Sequence, residues 1–346
     1  MLERWAEPTP VLKDGYLNSD QIESWREQGF AFVSGLLPDS LVCQLREDAL
    51  SFYPSPDQAD IGRYNHFGSN GHFVFPSNYD SANRVSLHPA LLSAVAALLD
   101  VSVPDIRLTQ SDLWPKYGGK TPEERSENTD QRIHCDYPNH TLTHPPRWDQ
   151  PEAVEIIIYL SEETATSGST AVVPRLGADD PAYRWPILDT PGVAGLTYVD
   201  DKFKAERYLR DELPEAADFR ENELYAREVK TRYRIGDILF YRHDTWHRGT
   251  PVTQGALRLV QNMTFKKASS DWVSVLHTGW AWSLYRPDHG PEKMIAGLDP
   301  DQRSVLGFPS PGHEYWTEET VLAVQARYAP FGIDMEPYKT ALSKQK

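Results

Sequence analysis

A mainly β fold with flanking helices is what this sequence predicts, and three observations carry the prediction. From about Asp105 onward, β-branched and aromatic residues come in short runs separated by Gly, Pro and Asn clusters. Before that point, apolar residues recur at helical spacing. Between Pro174 and Arg232 lies a charge-rich stretch without strand alternation, which reads as an insertion over one end of the sheet. The 346 residues suffice for one large domain or two ordinary ones of roughly 150 residues each. No internal repeat or low-complexity tract divides the chain. One elaborated domain is therefore expected: residues 1–104 as helical support, 105–268 as a β core with the insertion at about 175–232, and 269–346 as an irregular C-terminal wrap.

Taken in order, Asn18 or Ser19 can cap a helix in which Ile22 and Trp25 lie one turn apart, and Gly29 stands where it should stop. Phe30 to Val33 follows as a strand. Pro38-Asp39 opens a second helix with Leu41, Leu45 and Ala49 at four-residue spacing. Pro89 suits the first position of a third helix, whose stripe is Leu91, Leu92, Val95, Leu98 and Leu99. Expected core strands are Ile106 to Trp114, Gln131 to Tyr137, Val154 to Tyr159, Thr170 to Val173, Ile238 to Tyr241 and Leu257 to Phe265. The tail places Trp272, Trp280, Trp282, Tyr285 and Trp316 among Pro and Gly, an aromatic-packed wrap.

Composition narrows the function. Apolar residues make up 40% of the chain, with 10 Trp, 17 Tyr and 12 Phe, the profile of a packed globular protein. The apolar run Ile156 to Leu160 is far shorter than the roughly 20 residues that cross a bilayer, so no membrane span is expected. Lys and Arg number 35 against 50 Asp and Glu; the formal charge of −15 repels a phosphate backbone, and no nucleic-acid partner is expected. The start Met1 to Pro8 lacks a basic and apolar leader pattern, which points to a cytoplasmic protein. Cys43 and Cys135 provide neither a disulfide framework nor a Cys-rich zinc site, so a metal would fall to His and carboxylates.

Two segments have that chemistry. In Ile133-His134-Cys135-Asp136-Tyr137, His134 and Asp136 are two apart and project to one side of a strand. Gly236 to Tyr241 reads as a turn into a strand that runs on to His243 and His247, both candidates for a third ligand, with His247 preferred for its position relative to Gly249 and Arg258. Two His and one carboxylate on one face of an octahedral ion leave positions open for a chelating co-substrate and dioxygen, which suits non-haem Fe(II). Eleven residues after His247, Arg258 shares a strand face with Val260, Asn262 and Thr264. An inward Arg needs an anion, such as the distal carboxylate of 2-oxoglutarate. Cys135 and Trp246, of opposite parity, are assigned to packing, and His140 and His144 to solvated loop.

These motifs resemble the phytanoyl-CoA dioxygenase family of Fe(II)/2-oxoglutarate-dependent oxygenases, from Leu17 to about Phe265. Asp20-Gln21-Ile22 through Gly29-Phe30, and Gly35 to Pro38, are similar to its N-terminal helix and strand. His134-Cys135-Asp136 is similar to its iron-binding pair, Ser167 to Pro174 to its Gly-containing turn, and Gly236-Asp237 to His247 with Arg258 to its distal ligand and 2-oxoglutarate arginine. Arg175-Leu176-Gly177 departs from the family's pattern after Pro174. The resemblance implies a double-stranded β-helix (jelly-roll, cupin-like) core, Fe(II) on His134, Asp136 and His247, and conversion of 2-oxoglutarate and O2 to succinate and CO2. It also implies hydroxylation of an unactivated carbon of a small molecule. Gln110 with Lys116 is similar to a strand that holds the co-substrate in relatives, and Thr250 joins them as a candidate contact. The absence of a dense Lys/Arg cluster favours a small natural product or modified amino acid over an acyl-CoA. The competing readings are a non-catalytic or zinc-holding jelly-roll protein and a protein-residue hydroxylase of the same fold. The insertion and the aromatic tail are the expected substrate lid.

Overall fold

The structure is a computed structural model and describes residues 3–12, 15–58, 64, 72–119, 130–136, 141–144, 147, 150–177, 179–183, 201–271 and 289–344. Short strands β1 (Trp5–Ala6) and β2 (Thr9–Pro10) come first. Helix α1 (Ser19–Gln28) starts in a capping box, where the Asn18 and Gln21 side chains each accept from the other's backbone N–H. Strand β3 (Phe30–Ser34) and helices α2 (Asp39–Phe52), α3 (Asp80–Ser86) and α4 (Pro89–Leu99) complete the N-terminal layer. The core strands are β4 (Ile106–Tyr117), β5 (Ala153–Tyr159), β6 (Thr170–Val172), β7 (Val229–Thr231), β8 (Ile238–Arg242), β9 (His247–Gly249) and β10 (Leu257–Lys267). Helix α5 (Glu163–Thr166) joins β5 to β6, α6 (Lys202–Glu212) and α7 (Pro214–Phe219) precede β7, and α8 (Gly290–Gly297), α9 (Pro300–Val305), α10 (Glu318–Tyr328) and α11 (Glu336–Ser343) follow β10.

The strands form a six-stranded sheet in the order β2-β3-β8-β5-β10-β4 and a four-stranded sheet in the order β1-β7-β6-β9. Alternation along each strand sorts side chains to two faces. Outward from the large sheet, Ile156, Ile158, Phe240, Leu259 and Met263 pack under Trp25, Leu41, Leu45, Leu91 and Val95 of the helices. Inward, Phe32, Ile157, Tyr159, Leu239 and Val260 meet Val172 and Tyr233 from the small sheet. Two sheets closed over a shared interior are the double-stranded β-helix expected from the family resemblance.

Several expectations are corrected. The strand Gln131 to Tyr137 is absent over its described residues: His134 pairs with His247 in an isolated bridge, and the Ile133 backbone is held by side chains. Val229–Thr231, placed in the insertion, is a strand of the small sheet, and Lys202 to Tyr225 is helical. Pro115 does not end β4, because β4 is the edge of the sheet and needs no donor there; Lys116 keeps the parity of Gln110. The wrap after Ser269 is helical over 289–344, with Phe308, Tyr315, Trp316, Tyr328 and Tyr338 as its core. Its helix signals were capping pairs, Asp299 with Gln302 and Thr317 with Thr320, amid aromatics that masked them. Trp272, Trp280, Trp282 and Tyr285 lie outside the described residues.

Gly29 ties the N-terminal layer to the site. Its φ of 91° is left-handed, ending α1, and a Cβ there would lie 2.8 Å from Thr245 Oγ1. The Gly29 carbonyl accepts from Thr245 Oγ1 at 2.7 Å and from the Arg242 N–H at 3.0 Å, across the turn that leads to His247. Left-handed strain and displacement of that hydroxyl together should make Gly29→Ala destabilising by about 2–3 kcal/mol in a urea melt.

Candidate metal centre

His134 and His247 exchange backbone hydrogen bonds of 2.9 and 2.8 Å, which sets their imidazoles side by side with ring centres 4.4 Å apart. Asp136 arrives two residues on, its N–H donating to the His243 carbonyl at 3.1 Å. One ligand atom from each of the three residues lies within 4.8 Å of the others, and all three are buried. His134 Nδ1 is 2.8 Å from the Arg132 carbonyl and His247 Nδ1 is 2.9 Å from the Thr245 carbonyl. A carbonyl only accepts, so Nδ1 of each ring bears a proton, which leaves Nε2 as the nitrogen that can bind a cation. Burial, and then the neighbouring His247, hold the His134 pKa well below the ordinary histidine range, which keeps that ring neutral. His247 Nε2 and Asp136 Oδ2 are 3.5 Å apart in a buried site. Three donors this close can share one cation, so the donor set fits a divalent metal, and two imidazoles with one carboxylate fit Fe(II).

The surroundings restrain these ligands. Tyr241 donates its hydroxyl to Asp136 Oδ2 at 2.9 Å. Behind His134, Ile133 is held on both backbone groups: its N–H donates to Tyr225 Oη at 3.1 Å and its carbonyl accepts from Arg220 Nη2 at 2.8 Å. Arg220 and Tyr225 both reach Glu206, so the described part of the insertion buttresses the segment that bears His134 and Asp136. Residues 184–200 of that insertion lie outside the described residues.

Arg258 lies on the inner face, directly across from Lys116. It is buried, its Nη1 donates to the Gly168 carbonyl, and its Nε makes no hydrogen bond. Among the described residues no carboxylate pairs with it. An uncompensated buried guanidinium demands an anion, and its planar fork matches a carboxylate. Lys116 Nζ donates to the Thr250 carbonyl at 2.9 Å. The Thr250 hydroxyl donates to the Ser169 carbonyl at 2.8 Å, which places Thr250 beside Lys116. Gln110 lies six residues along β4 from Lys116, at the other end of the inner face from Arg258.

Other sequence expectations shift. His243 is not on one strand with His247; a turn closed by the Thr245 N–H on the Arg242 carbonyl separates them, and His243 Nδ1 lies 2.6 Å from Glu155 Oε1. His144, expected in solvent, is buried and its pKa is pushed well below the ordinary range. His140 lies outside the described residues. Cys135 and Trp246 are core, as expected. Tyr241, Glu155 and Asp112 were not singled out in the sequence. The available signal was a lone carboxylate in an otherwise apolar strand for Glu155 in β5; β4, with Arg107, Thr109, Gln110, Ser111 and Lys116, gave no such signal for Asp112.

Burial raises the Asp112 pKa to about 7, against the opposing pull of the Gln110 amide and Trp114 indole. A carboxyl that holds its proton more tightly folded than unfolded stabilises the fold below its unfolded pKa and loses that contribution as pH rises through about 7. Asp112→Asn escapes this loss. Its stability relative to wild type should rise from pH 4 to pH 7 by up to about 1.4 kcal/mol per pH unit, read from thermal melts across that range.

The family model described as phytanoyl-CoA dioxygenase (PhyH) matches residues 25–260. No curated protein matches the chain. Among solved structures, EvdO2 from Micromonospora carbonacea var. aurantiaca is 18% identical with a TM-score of 0.49, covering 73% of this chain and 91% of that one. The non-heme alpha ketoglutarate dependent carbocyclase SnoK from nogalamycin biosynthesis is 17% identical with a TM-score of 0.48, over 75% and 87%. HygX from Streptomyces hygroscopicus is 15% identical with a TM-score of 0.45, over 73% and 87%.

Proposed function

The chain belongs to the phytanoyl-CoA dioxygenase family, and from that premise we propose that His134, Asp136 and His247 hold its iron and that Arg258 anchors its 2-oxoglutarate. The protein is a non-haem Fe(II)/2-oxoglutarate-dependent dioxygenase acting on a small molecule. The observation that carries the site assignment is the convergence of three remote donors with both histidine Nδ1 atoms committed to carbonyls. Arg258 favours this reading over a structural zinc site, which has no need of a buried cation awaiting an acid.

Bound at the triad, Fe(II) supplies oxidative decarboxylation of 2-oxoglutarate by O2 to succinate and CO2, coupled to oxidation of a substrate carbon. The protein's part is geometric and electrostatic. The carbonyls of Arg132 and Thr245 fix the rotation of the two imidazoles, and the Tyr241 hydroxyl fixes that of the carboxylate. Arg258, in a buried setting, orients the co-substrate by its distal acid. The inner apolar wall of Phe32, Tyr159, Leu239 and Val260 excludes water from the reacting centre. Hydroxylation of an unactivated carbon is the outcome proposed. The test is anaerobic titration with Fe(II) and 2-oxoglutarate: a weak metal-to-ligand charge-transfer band should appear, and its absence from folded protein would refute the assignment.

A further inference from the structure

The inner face of the large sheet has two chemically opposite ends. At one, Arg258 sits across from Lys116, both buried. Four residues along β10, Asn262 sits across from Asp112, and six along, Thr264 sits across from Gln110. The row continues from Thr264 to Glu155 and from Glu155 to Tyr241, so one register line joins four strands. At about 3.3 Å per residue, the acidic end lies roughly 13–20 Å from the cationic end. Trp114, between the two ends, and Asn262, at the acidic end, are only half-buried.

The acidic end has acceptors to spare. Asp112 is 1% exposed; its Oδ1 accepts from Gln110 Nε2 at 3.0 Å. That bond fixes the Gln110 amide, leaving its Oε1 as the remaining acceptor; Gln110 Oε1 has no hydrogen bond, and the further donor beside Asp112, the Trp114 indole, completes none to Oδ2. Each such buried acceptor is a cost to the fold until a donor arrives. Glu155, the other acid in the row, accepts from the Thr264 hydroxyl and lies against His243. The row also reaches the metal ligands, because Tyr241, across from Glu155, donates to Asp136.

We infer that this acidic end receives the substrate, and that the substrate presents hydrogen-bond donors there, as an ammonium or a hydroxyl group, to Asp112 Oδ2 and Gln110 Oε1. The inference rests on the oxygenase reading, which puts 2-oxoglutarate at the Arg258 end. An alkyl or acyl chain laid on this surface would strand a buried carboxyl and an amide oxygen, whereas a donor satisfies both. Sites built to hydrogen-bond a substrate group reject analogues lacking it by as much as about 10⁴-fold or more. Asp112 and Gln110 thereby act as specificity-determining residues.

Three probes of equal length separate the possibilities: 1-aminohexane, 1-hexanol and 1-methoxypentane, which accepts but does not donate. Each is titrated anaerobically into wild-type protein loaded with Fe(II) and 2-oxoglutarate, reading the perturbation of the charge-transfer band, and succinate formation is then measured in air. The amine or the alcohol should bind at least about tenfold more tightly than the ether. Asp112→Leu should abolish that preference. Asp112→Asn keeps an acceptor without the charge; it should weaken the amine about tenfold or more and the alcohol far less, which distinguishes the two donors. This isostere also carries the test should the leucine variant fail to fold. An ether that binds as well as the donors, no response to any probe, or a preference that survives Asp112→Leu overturns the inference. Failure of the band to form in wild-type protein before any probe is added counts against the oxygenase reading instead.

Discussion

Protein bearing Asp136→Ala should form succinate from 2-oxoglutarate at no more than about one hundredth of the wild-type rate, with or without added substrate. Asp136 supplies the one anionic donor of the triad; its loss leaves two neutral imidazoles to hold a divalent ion. The fold should survive. Asp136 is held by a backbone bond from its own N–H, which alanine keeps, and its side chain meets Tyr241, whose buried hydroxyl loses an acceptor at a cost of about 1–3 kcal/mol. Calorimetric Fe(II) titration should show the loss of metal affinity alongside a thermal melt that remains cooperative. Succinate formation near the wild-type rate would remove Asp136 from the site.

The second large effect belongs to Arg258. Arg258→Ala should raise the concentration of 2-oxoglutarate needed for half-maximal turnover about 100-fold or more, because the proposed anchor, a buried guanidinium, would be lost and the distal acid left unpaired. Arg258→Lys should recover only part of this, since an ammonium cannot reproduce the fork. Lys116, directly across the strand pair, keeps a positive charge nearby in both variants, so general attraction remains while orientation is lost. The comparison of alanine with lysine therefore reads geometry apart from charge. An unchanged half-saturation in both variants would place the co-substrate anchor elsewhere.

Much of the candidate site was legible because its residues obey local rules. His134 and Asp136 are two apart, Arg258 follows His247 by eleven residues, and the alternation of β10 turns Arg258 inward whatever surrounds it. The same parity correctly put Cys135 and Trp246 in the core. The readings that failed depended on what a segment packs against. The run from Gln131 looks like a strand, but Arg220 and Tyr225, 87 and 92 residues later, take the Ile133 backbone groups that a neighbouring strand would otherwise use. His144 is polar and lies in a Pro-rich run, yet the C-terminal helices bury it: Tyr315 donates to its carbonyl. His243 and His247 share parity in the sequence, but a turn between β8 and β9 separates their environments.

By itself, the sequence determined the mainly β core, the helices that cover it, the three metal-ligand candidates and the buried arginine. Each depends on periodicity or spacing within a few residues, where backbone geometry leaves little freedom. Only the tertiary structure decided that Gln110, Thr264, Glu155 and Tyr241 share one row, with Asp112 next to it and Arg258 at the opposite end. That row is set by the register of strands distant in the chain, and sliding any one of them by a single residue would turn its side chains to the other face. Register is a property of the closed sheet, set by packing on both faces at once.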